Sequence, residues 1–241
     1  MKPIIIIPSR MASTRLPGKP LANIGGKPMI VHVLQRAKEA NIGPIYVACA
    51  ESEIAEAVTL SGGRAILTDP KHPSGTDRIF EAMNKIPDIK KYDVVINLQG
   101  DLPTINPKAI RDILLPLKNR NVDISTLVAK IKNKEEEKNP NVVKAIADFS
   151  RAKKVAIATD FKRKLKAEDK NFYHHIGIYG YRKTSLEKFT KLKQSDREKS
   201  EKLEQLRALD NDMVIGVSLI DTVPFGVDTP EDLEMARRLL G

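Results

Sequence analysis

The chain has 241 residues, of which 41% are hydrophobic and 30% are charged, a balance typical of a soluble globular protein rather than a disordered chain. At ~150 residues for a typical domain, this length corresponds to one large domain or to a domain with a smaller module. The single cysteine, Cys49, excludes an internal disulfide framework and a multi-cysteine zinc site. The longest aliphatic block, Ile4 to Ile7, is far shorter than the ~20 residues that span a bilayer, and it does not resemble a signal peptide. We therefore expect a cytoplasmic enzyme or binding protein.

The formal net charge is +10, and its distribution along the chain decides how it is interpreted. Residues 130–206 contain 21 Lys and Arg against 12 Asp and Glu, whereas the rest of the chain contains 20 against 19. The aromatic residues of this basic stretch show no spacing that would stack single-stranded bases. We interpret the excess as a solvated, lysine-rich surface, and we expect neither a nucleic acid nor a membrane as partner.

Strand-like and helix-like segments alternate over residues 1–129, which is the pattern of an α/β protein. Lys2 to Ile7 is a continuous aliphatic run, typical of a strand that is buried on both faces. Pro28 to Ala40 has apolar residues at helical spacing after a proline, which predicts a helix. The other predicted strands are residues 45–50, 64–68, 93–98 and 123–131, and the other predicted helices are residues 52–60, 76–86 and 107–118.

The pattern weakens after residue 133. Residues 134–138 predict a charged turn, and residues 151–170 have no clear period. Further strands are predicted at 175–181 and 213–219, and further helices at 198–209 and, after the good cap Thr229-Pro230, through Leu240. No repeat or low-complexity linker interrupts the chain. We expect a single domain over residues 1–241, with an inserted sub-module at about 133–210.

The loop after the first predicted strand, residues 8–20, is the first candidate site. It lies beyond the carboxyl end of a strand, where open α/β sheets bind ligands. Arg10, Arg15 and Lys19 can neutralise a polyphosphate while backbone N–H groups approach it. The loop is not a Walker loop, since Pro20 follows Lys19. From the residues alone, a phosphate site and a plain polar surface loop both remain open.

Two aspartates that follow predicted strands are candidate metal ligands. Asp101 comes directly after Gly100, which would allow a ligand to approach closely, and carboxylate oxygens are ligands that Mg²⁺ prefers. Asp228 precedes the last helix, where Thr229 is the expected cap. For Asp101 the alternative is a residue that merely caps the turn toward Pro103. The spacing in the sequence does not show whether the two carboxylates converge.

Several motifs stand in a fixed order over nearly the whole chain. They are residues 8–20, Gly26-Lys27-Pro28-Met29-Ile30-Val31-His32-Val33, His72-Pro73-Ser74-Gly75-Thr76-Asp77-Arg78, Gln99-Gly100-Asp101, Asn139-Pro140-Asn141-Val142-Val143-Lys144, His174-His175-Ile176-Gly177-Ile178-Tyr179-Gly180-Tyr181, Lys202-Leu203-Glu204-Gln205-Leu206-Arg207 and Gly226-Val227-Asp228-Thr229. Together they resemble the signature of the 3-deoxy-manno-octulosonate (Kdo) cytidylyltransferases, also called CMP-Kdo synthetases. The ordered set is far more specific than any single motif.

The resemblance implies transfer of CMP from CTP to the anomeric hydroxyl of Kdo, with Mg²⁺, giving CMP-Kdo and pyrophosphate for lipopolysaccharide biosynthesis. It also implies the nucleotide-diphospho-sugar transferase fold, a GT-A-like and Rossmann-like three-layer α/β sandwich with a mixed sheet and a small dimerisation sub-module. The expected assembly is a homodimer. In-line attack on the α-phosphorus suits a site that mainly positions the reactants and neutralises charge.

The resemblance also assigns roles to individual residues. The expected catalytic residues are Arg10, Arg15 and Lys19, which hold the triphosphate, and Asp101 and Asp228, which hold Mg²⁺. The residues expected around cytidine are Pro8, Ser9, Ser13, Ser74, Gly75 and Thr76. The residues expected around the sugar acid are Arg78, Gln99, His175, Tyr179, Glu204 and Gln205. By residue type alone, His175 and Tyr179 are more typical of a core, Glu204 is more typical of a solvated helix face, and Arg78 would pair with Glu81 on its own helix.

The chain departs from the family pattern where an arginine is expected to face the sugar carboxylate. In the family, an aromatic-rich strand beyond the position of Lys144 ends in Phe-Ser/Thr-Arg-Ala. The literal match here, residues 149–152, follows Lys144 too closely. The strand-like segment 155–160 instead puts Asp160 at the arginine position. Either Arg163 or Lys164 takes the role, or the sugar pocket has changed. An acidic residue there would repel a carboxylate and favour an amine.

This departure leaves other hypotheses open. A variant sugar acid such as 8-amino-Kdo is the first alternative substrate, and N-acylneuraminate fits the later motifs less well. A non-catalytic homologue would bind CTP without turnover. A basic nucleic-acid-binding protein that has kept an α/β core would bind with a steep salt dependence, although the ordered motifs lie mainly outside the most basic runs.

Overall fold

The computed structural model describes residues 1–150 and 154–241, so part of the 149–152 match lies outside the described residues. Two compact units make up the chain, residues 1–111 with 224–241 and residues 112–223. Within the described ranges, no helix combines the length and the apolar character that crossing a membrane requires.

The first unit contains a parallel sheet with helices between its strands. Its strands are β1 (Pro3–Ser9), β2 (Asn23–Ile24), β3 (Lys27–Pro28), β4 (Ile45–Cys49), β5 (Ala65–Leu67) and β6 (Val94–Asn97). Its helices are α1 (Met29–Ala40), α2 (Ser52–Leu60), α3 (Gly75–Lys85) and α4 (Pro107–Asp112), which reaches the boundary of the unit. Four strands pair in parallel in the order β5-β4-β1-β6, and β2 and β3 form a separate antiparallel pair. The isoleucines at 4–7 in β1 have no exposed surface, as expected for a strand covered on both faces.

The second unit is built on strands of mixed direction. Its strands are β7 (Ile124–Ala129), β8 (Lys144–Ala147), β9 (Val155–Lys162), β10 (Phe172–Arg182) and β11 (Ile215–Ile220). Its helices are α5 (Lys134–Lys138), α6 (Lys183–Phe189), α7 (Asp196–Glu201) and α8 (Gln205–Leu209), and the last helix of the chain, α9 (Pro230–Leu240), belongs to the first unit.

The strand pairings of the second unit close on themselves. The order is β10-β7-β11-β9-β8, and β8 also pairs with β10. Only β7 and β11 run parallel, whereas the other pairs are antiparallel. The long strand β10 can serve two partners because its first residues pair with β8 and its later residues pair with β7, past a register shift between Ile176 and Tyr179.

Most predicted elements are present, but three predictions are wrong. The helix predicted over 107–118 ends at Asp112, and residues 116–118 form a 3-10 turn, because Pro116 has no N–H to donate to the Asp112 carbonyl and its ring would clash with that carbonyl in a continuous helix. The helix predicted over 198–209 is two helices, separated where Lys202 takes a left-handed φ of 54°. The charged turn predicted at 134–138 is the helix α5, which Asn133 caps by accepting from the Glu136 N–H.

Candidate active site

A cleft of about 380 Å³ opens in the first unit at the carboxyl ends of β1 and β6. The predicted site residues that line this cleft are Pro8, Ser9, Arg10, Ser13, Arg15, Lys19, Ser74, Gly75, Arg78, Gln99, Asp101 and Asp228. Thr76 is instead buried on the first turn of α3 and is not among the lining residues. The cleft is also lined by Gly100 and by four residues to which the sequence assigns no individual role, namely Ala12, Thr14 and Pro20 of the loop 8–20 and Met29.

Two glycines and one acidic residue shape the loops around this cleft. A Cβ on Gly100 would lie 2.8 Å from the carbonyl oxygen of Pro8, so only glycine lets the two strand ends approach so closely. Gly18 has a left-handed φ of 70° and begins the turn that places the next residue, Lys19, in the cleft. Glu51 accepts a hydrogen bond of 2.9 Å from the Met11 N–H and so anchors the loop. Sequence analysis missed Glu51, because no local signal links it to a loop 40 residues earlier.

The two aspartates converge on one ammonium group. Lys19 Nζ lies 2.9 Å from Asp101 Oδ2 and 3.0 Å from Asp228 Oδ1, and Arg15 Nη2 lies 3.0 Å from Asp228 Oδ2. Burial by itself lowers the pKa of Lys19, but the Asp101 and Asp228 carboxylates outweigh it, so the pKa is raised above its usual value. Lys19 therefore remains a cation held between two carboxylates.

These two carboxylates are also the residues that could hold a metal ion. Both reach the same cation position, and their oxygens are the ligand type that Mg²⁺ takes, commonly one or two carboxylates together with phosphate oxygens and water. In the part of the chain that the structure describes, no group of three or more His, Cys, Asp or Glu side chains is arranged to bind a metal. These two carboxylates thus fit a cation whose remaining ligands come from the oxygens of a bound polyphosphate and from water.

Arg78 is only 2% exposed and is held by the turn that precedes α3. Its guanidinium donates to Thr68 Oγ1 at 2.7 Å and to the carbonyl oxygen of Asp69 at 3.2 Å. The alternative prediction that Arg78 pairs with Glu81 is wrong, since Glu81 pairs with Lys85 at 2.6 Å and with a histidine of the same turn. Burial, and then the nearby positive charge of Arg10, lower the pKa of Arg78. Arg78 and Arg10 together make this end of the cleft attractive to an anion.

Four predicted sugar-site residues lie together in the second unit. Tyr179 on β10 donates a hydrogen bond of 3.2 Å to Gln205 Oε1 at the start of α8, and its ring centroid lies 5.6 Å from that of His175. Burial, and then the charge of Glu204, raise the pKa of the Tyr179 hydroxyl. The buried Gln205 Nε2 has no hydrogen-bond partner among the described residues. The cluster therefore contains a donor that a ligand would satisfy.

His175 is buried in this cluster in its neutral form. Burial, and then the charge of His174, lower the pKa of His175 to about 3. Its Nε2 lies 3.0 Å from Thr126 Oγ1, and the Phe161 ring packs edge-on against it at 4.9 Å. Sequence analysis missed Thr126, although a hydroxyl within the apolar strand β7 is a signal that could have marked it.

The departure at residue 160 has a local structural explanation. Phe161 faces His175, so its neighbour Asp160 points to the opposite face of β9. There Asp160 pairs with Arg197 and lies 3.8 Å from Lys162 Nζ, which offsets its charge. Arg163 donates to the carbonyl oxygens of Glu201, Pro140 and Lys202 at 2.6, 3.1 and 3.3 Å, so its guanidinium is already engaged. Lys164 is exposed.

Comparisons with known proteins agree with this geometry. A family model described as cytidylyltransferase matches residues 4–215. The 3-deoxy-manno-octulosonate cytidylyltransferase of Paramagnetospirillum magneticum is 53% identical over 241 residues, which is 100% of this chain and 98% of that protein. A solved structure of CMP:2-keto-3-deoxy-manno-octonic acid synthetase complexed with CTP matches with a TM-score of 0.89 and 37% identity, over 99% of this chain and 98% of that chain.

The fold and the cation-lined cleft thus define a nucleotidyltransferase of the cytidylyltransferase class. Within this class, the chain belongs to the 3-deoxy-manno-octulosonate cytidylyltransferase family, and the resemblance drawn from the motifs is confirmed. The predicted mixed α/β fold is confirmed as well. A 4-diphosphocytidyl-2C-methyl-D-erythritol synthase from Anaerococcus prevotii is only 16% identical but has the same fold, with a TM-score of 0.62 over 98% of this chain and 97% of that chain.

Proposed function

We propose that the chain transfers CMP from CTP to the anomeric hydroxyl of Kdo, giving CMP-Kdo and pyrophosphate for lipopolysaccharide biosynthesis. The observation that carries this proposal is the convergence of the Asp101 and Asp228 carboxylates on the Lys19 ammonium, at 2.9 and 3.0 Å, in a cleft that Arg10 and Arg15 also line. Cations and paired carboxylates in one cleft suit a nucleoside triphosphate bound with a divalent metal.

In this reaction the anomeric oxygen forms a bond to the α-phosphorus, and the bond between the α-phosphorus and the bridging oxygen to the β-phosphate breaks. Pyrophosphate leaves with the electron pair, and the hydroxyl proton passes to solvent. Negative charge therefore grows on the leaving group. Arg10, Arg15 and Lys19 offset this charge and hold the triphosphate in line with the attacking oxygen.

Asp101 and Asp228 are the residues that would hold Mg²⁺. When bound, the ion orients the phosphates and neutralises part of their charge. Lys19 already holds these two carboxylates close together. The two carboxylates therefore already face one cation position before a metal is bound.

Pro8, Ser9, Ser13 and the Ser74-Gly75-Thr76 turn are proposed to form the cytidine pocket. The Ser9 hydroxyl is buried without a hydrogen-bond partner among the described residues, so a ligand can satisfy it. The Ser74 hydroxyl accepts from the Asp77 N–H and donates to its carboxylate, so Ser74 contributes mainly through its backbone. Thr76 supports the turn from its buried position.

The sugar acid is proposed to contact Arg78, Gln99, His175, Tyr179, Glu204 and Gln205. The donor on Gln205 that lacks a partner among the described residues supports this assignment in the second unit. We also propose that residues 133–210 form a dimerisation and sugar-binding sub-module and that the protein is a cytoplasmic homodimer. Sedimentation would then give twice the protomer mass at micromolar concentration, and a monomer would contradict the proposed assembly.

A panel of sugar acids tests the proposed substrate. Pyrophosphate release from CTP with Mg²⁺ is measured with Kdo, 8-amino-Kdo and N-acetylneuraminate, and the highest kcat/KM is expected with Kdo. A preference for 8-amino-Kdo would change the substrate assignment. Binding of CTP without turnover on any 2-keto sugar acid would reject the enzymatic function.

Removal of single charges tests the proposed metal ligands. Asp101→Asn and Asp228→Asn should nearly abolish Mg²⁺-dependent pyrophosphate release, because each leaves one carboxylate for the metal. Asp88→Asn is a matched control, since Asp88 pairs with Lys91 on the surface and its left-handed backbone suits asparagine. Full activity of either site variant would overturn the assignment.

A further inference from the structure

Thr126 on β7 has a fully buried side chain whose hydroxyl meets three polar atoms of the neighbouring strand β10. Its Oγ1 lies 2.9 Å from the carbonyl oxygen of Ile176, 2.8 Å from that of Ile178 and 3.0 Å from Nε2 of His175. Two carbonyl groups reach one side chain because β10 bulges, with the register shift between Ile176 and Tyr179.

These contacts decide which atom carries the proton between Thr126 and His175. A hydroxyl has one proton to donate, and a carbonyl oxygen only accepts. The Thr126 hydroxyl therefore donates its proton to one of the two carbonyl oxygens. Toward His175 the Thr126 oxygen is the acceptor, so Nε2 of His175 must carry a proton to donate. The reverse arrangement would leave the Thr126 oxygen 2.8 and 2.9 Å from two carbonyl oxygens with no proton between them, and acceptors that face each other repel.

The remaining ring nitrogen of His175 is then an acceptor. Burial keeps the ring neutral at neutral pH, since the pKa is lowered to about 3, and a neutral imidazole carries its proton on one nitrogen only. With Nε2 protonated toward Thr126, Nδ1 bears a lone pair. No hydrogen bond from a described residue reaches Nδ1, whereas the rings of Phe161 and Tyr179 flank the imidazole.

We infer that Thr126 is a positioning residue that holds His175 in its Nε2–H tautomer and so presents Nδ1 as an acceptor to a hydroxyl of the sugar acid. The identity of the ligand rests on the proposed function, whereas the tautomer rests on the contacts of Thr126 and on the burial of the neutral ring. The buried Gln205 Nε2, which is a donor, belongs to the same cluster through Tyr179. An acceptor and a donor in one cluster match a polyhydroxylated ligand, since each hydroxyl both donates and accepts.

NMR of the ligand-free protein tests the tautomer. Long-range ¹H–¹⁵N spectra distinguish protonated from unprotonated ring nitrogens, and a His175→Gln spectrum identifies the His175 signals. Wild type is expected to show protonated Nε2 and unprotonated Nδ1, and Thr126→Ser should keep this pattern. Thr126→Val, which removes the hydroxyl at similar volume, should shift the ¹H and ¹⁵N resonances of Nε2–H, because this group loses the oxygen that accepts its hydrogen bond. Protonated Nδ1 in wild type would overturn the inference, whether or not the valine variant folds. In a folded valine variant, His175 ring resonances identical to those of wild type would also overturn it.

Kinetics test the consequence for the sugar acid. Thr126→Val is expected to raise the KM for the sugar acid about tenfold, the loss of roughly one hydrogen bond. The KM for CTP should stay nearly unchanged, and Thr126→Ser should restore the wild-type value. An equal rise in both KM values would reveal general damage and overturn the positioning role. Failure of wild type to use any sugar acid would instead reject the proposed function and the ligand, while the spectra still decide the tautomer.

Discussion

At the scale of single residues, the ammonium of Lys19 occupies the position between Asp101 and Asp228 that we assign to a divalent cation. Its side chain is only 15% exposed, so water screens these interactions weakly. Lys19→Met should therefore have two opposite effects. Pyrophosphate release should fall about 100-fold, because the triphosphate loses a cation. The affinity of the nucleotide-free protein for Mn²⁺, a probe for Mg²⁺, should rise several-fold, because the ammonium no longer competes for the carboxylates.

Calorimetric titration of Mn²⁺ checks the second effect without any turnover. Lys91→Met is the matched control, because Lys91 forms a surface pair with one aspartate and lies outside the cleft. Its metal affinity and activity should match wild type. Unchanged or weaker Mn²⁺ binding by Lys19→Met would contradict the competition between the ammonium and the metal.

The neutral burial of His175 predicts a pH dependence of stability. Above about pH 6.5 the ring is neutral in both states and contributes no pH dependence. As the pH falls from there toward the folded-state pKa of about 3, the unfolded chain takes up a proton that the folded chain excludes. Stability therefore falls with decreasing pH, by at most about 1.4 kcal/mol per unit from this group. Urea unfolding at pH 7 and pH 5 should show that His175→Gln loses about 2 kcal/mol less than wild type. Equal losses in both proteins would show that His175 is charged or exposed in the folded state.

At the scale of secondary structure, the cap of α9 fixes the backbone beside a candidate metal ligand. Thr229 Oγ1 accepts from the Asp232 N–H at 3.2 Å, and Asp232 Oδ2 accepts from the N–H groups of Thr229 and Asp228 at 2.9 and 3.0 Å. Thr229→Ala should lower the free energy of unfolding by about 1 kcal/mol, whereas Thr229→Ser should retain most of it. Chemical denaturation measures both. An alanine variant as stable as wild type would mean that the capping box contributes little.

Among the helices and strands, those with a local sequence signal were predictable, whereas features that depend on the folded chain were not. The aliphatic run of β1 and the cap of α9 are local signals, and both predictions are confirmed. The break at Lys202 depends on a left-handed backbone conformation that no residue type nearby demands. The helical spacing of the apolar residues therefore predicted one continuous helix over 198–209. Likewise, the motifs marked Asp101 and Asp228 as candidates, but their convergence on Lys19 requires the folded order of the strands.

At the scale of the whole molecule, the charge of +10 raises the question of a nucleic-acid partner. The basic stretch 130–206 also contains 12 acidic residues, and several of its cations are paired. Arg197 binds Asp160 and Asp210, and Arg207 binds Glu198 in a buried bidentate pair. Paired cations release few counterions on meeting a phosphate backbone, so they contribute little to binding.

We therefore expect no saturable binding of a short DNA duplex at about 150 mM salt, where charges more than about 8 Å apart are largely screened. Fluorescence anisotropy with labelled duplex, repeated at low salt, measures this. Weak binding that appears only at low salt and weakens steeply as salt rises would be the non-specific attraction of exposed lysines. Tight binding that persists at 150 mM salt would instead require an ordered basic surface with specific contacts, and it would restore a nucleic-acid partner beside the nucleotidyltransferase activity.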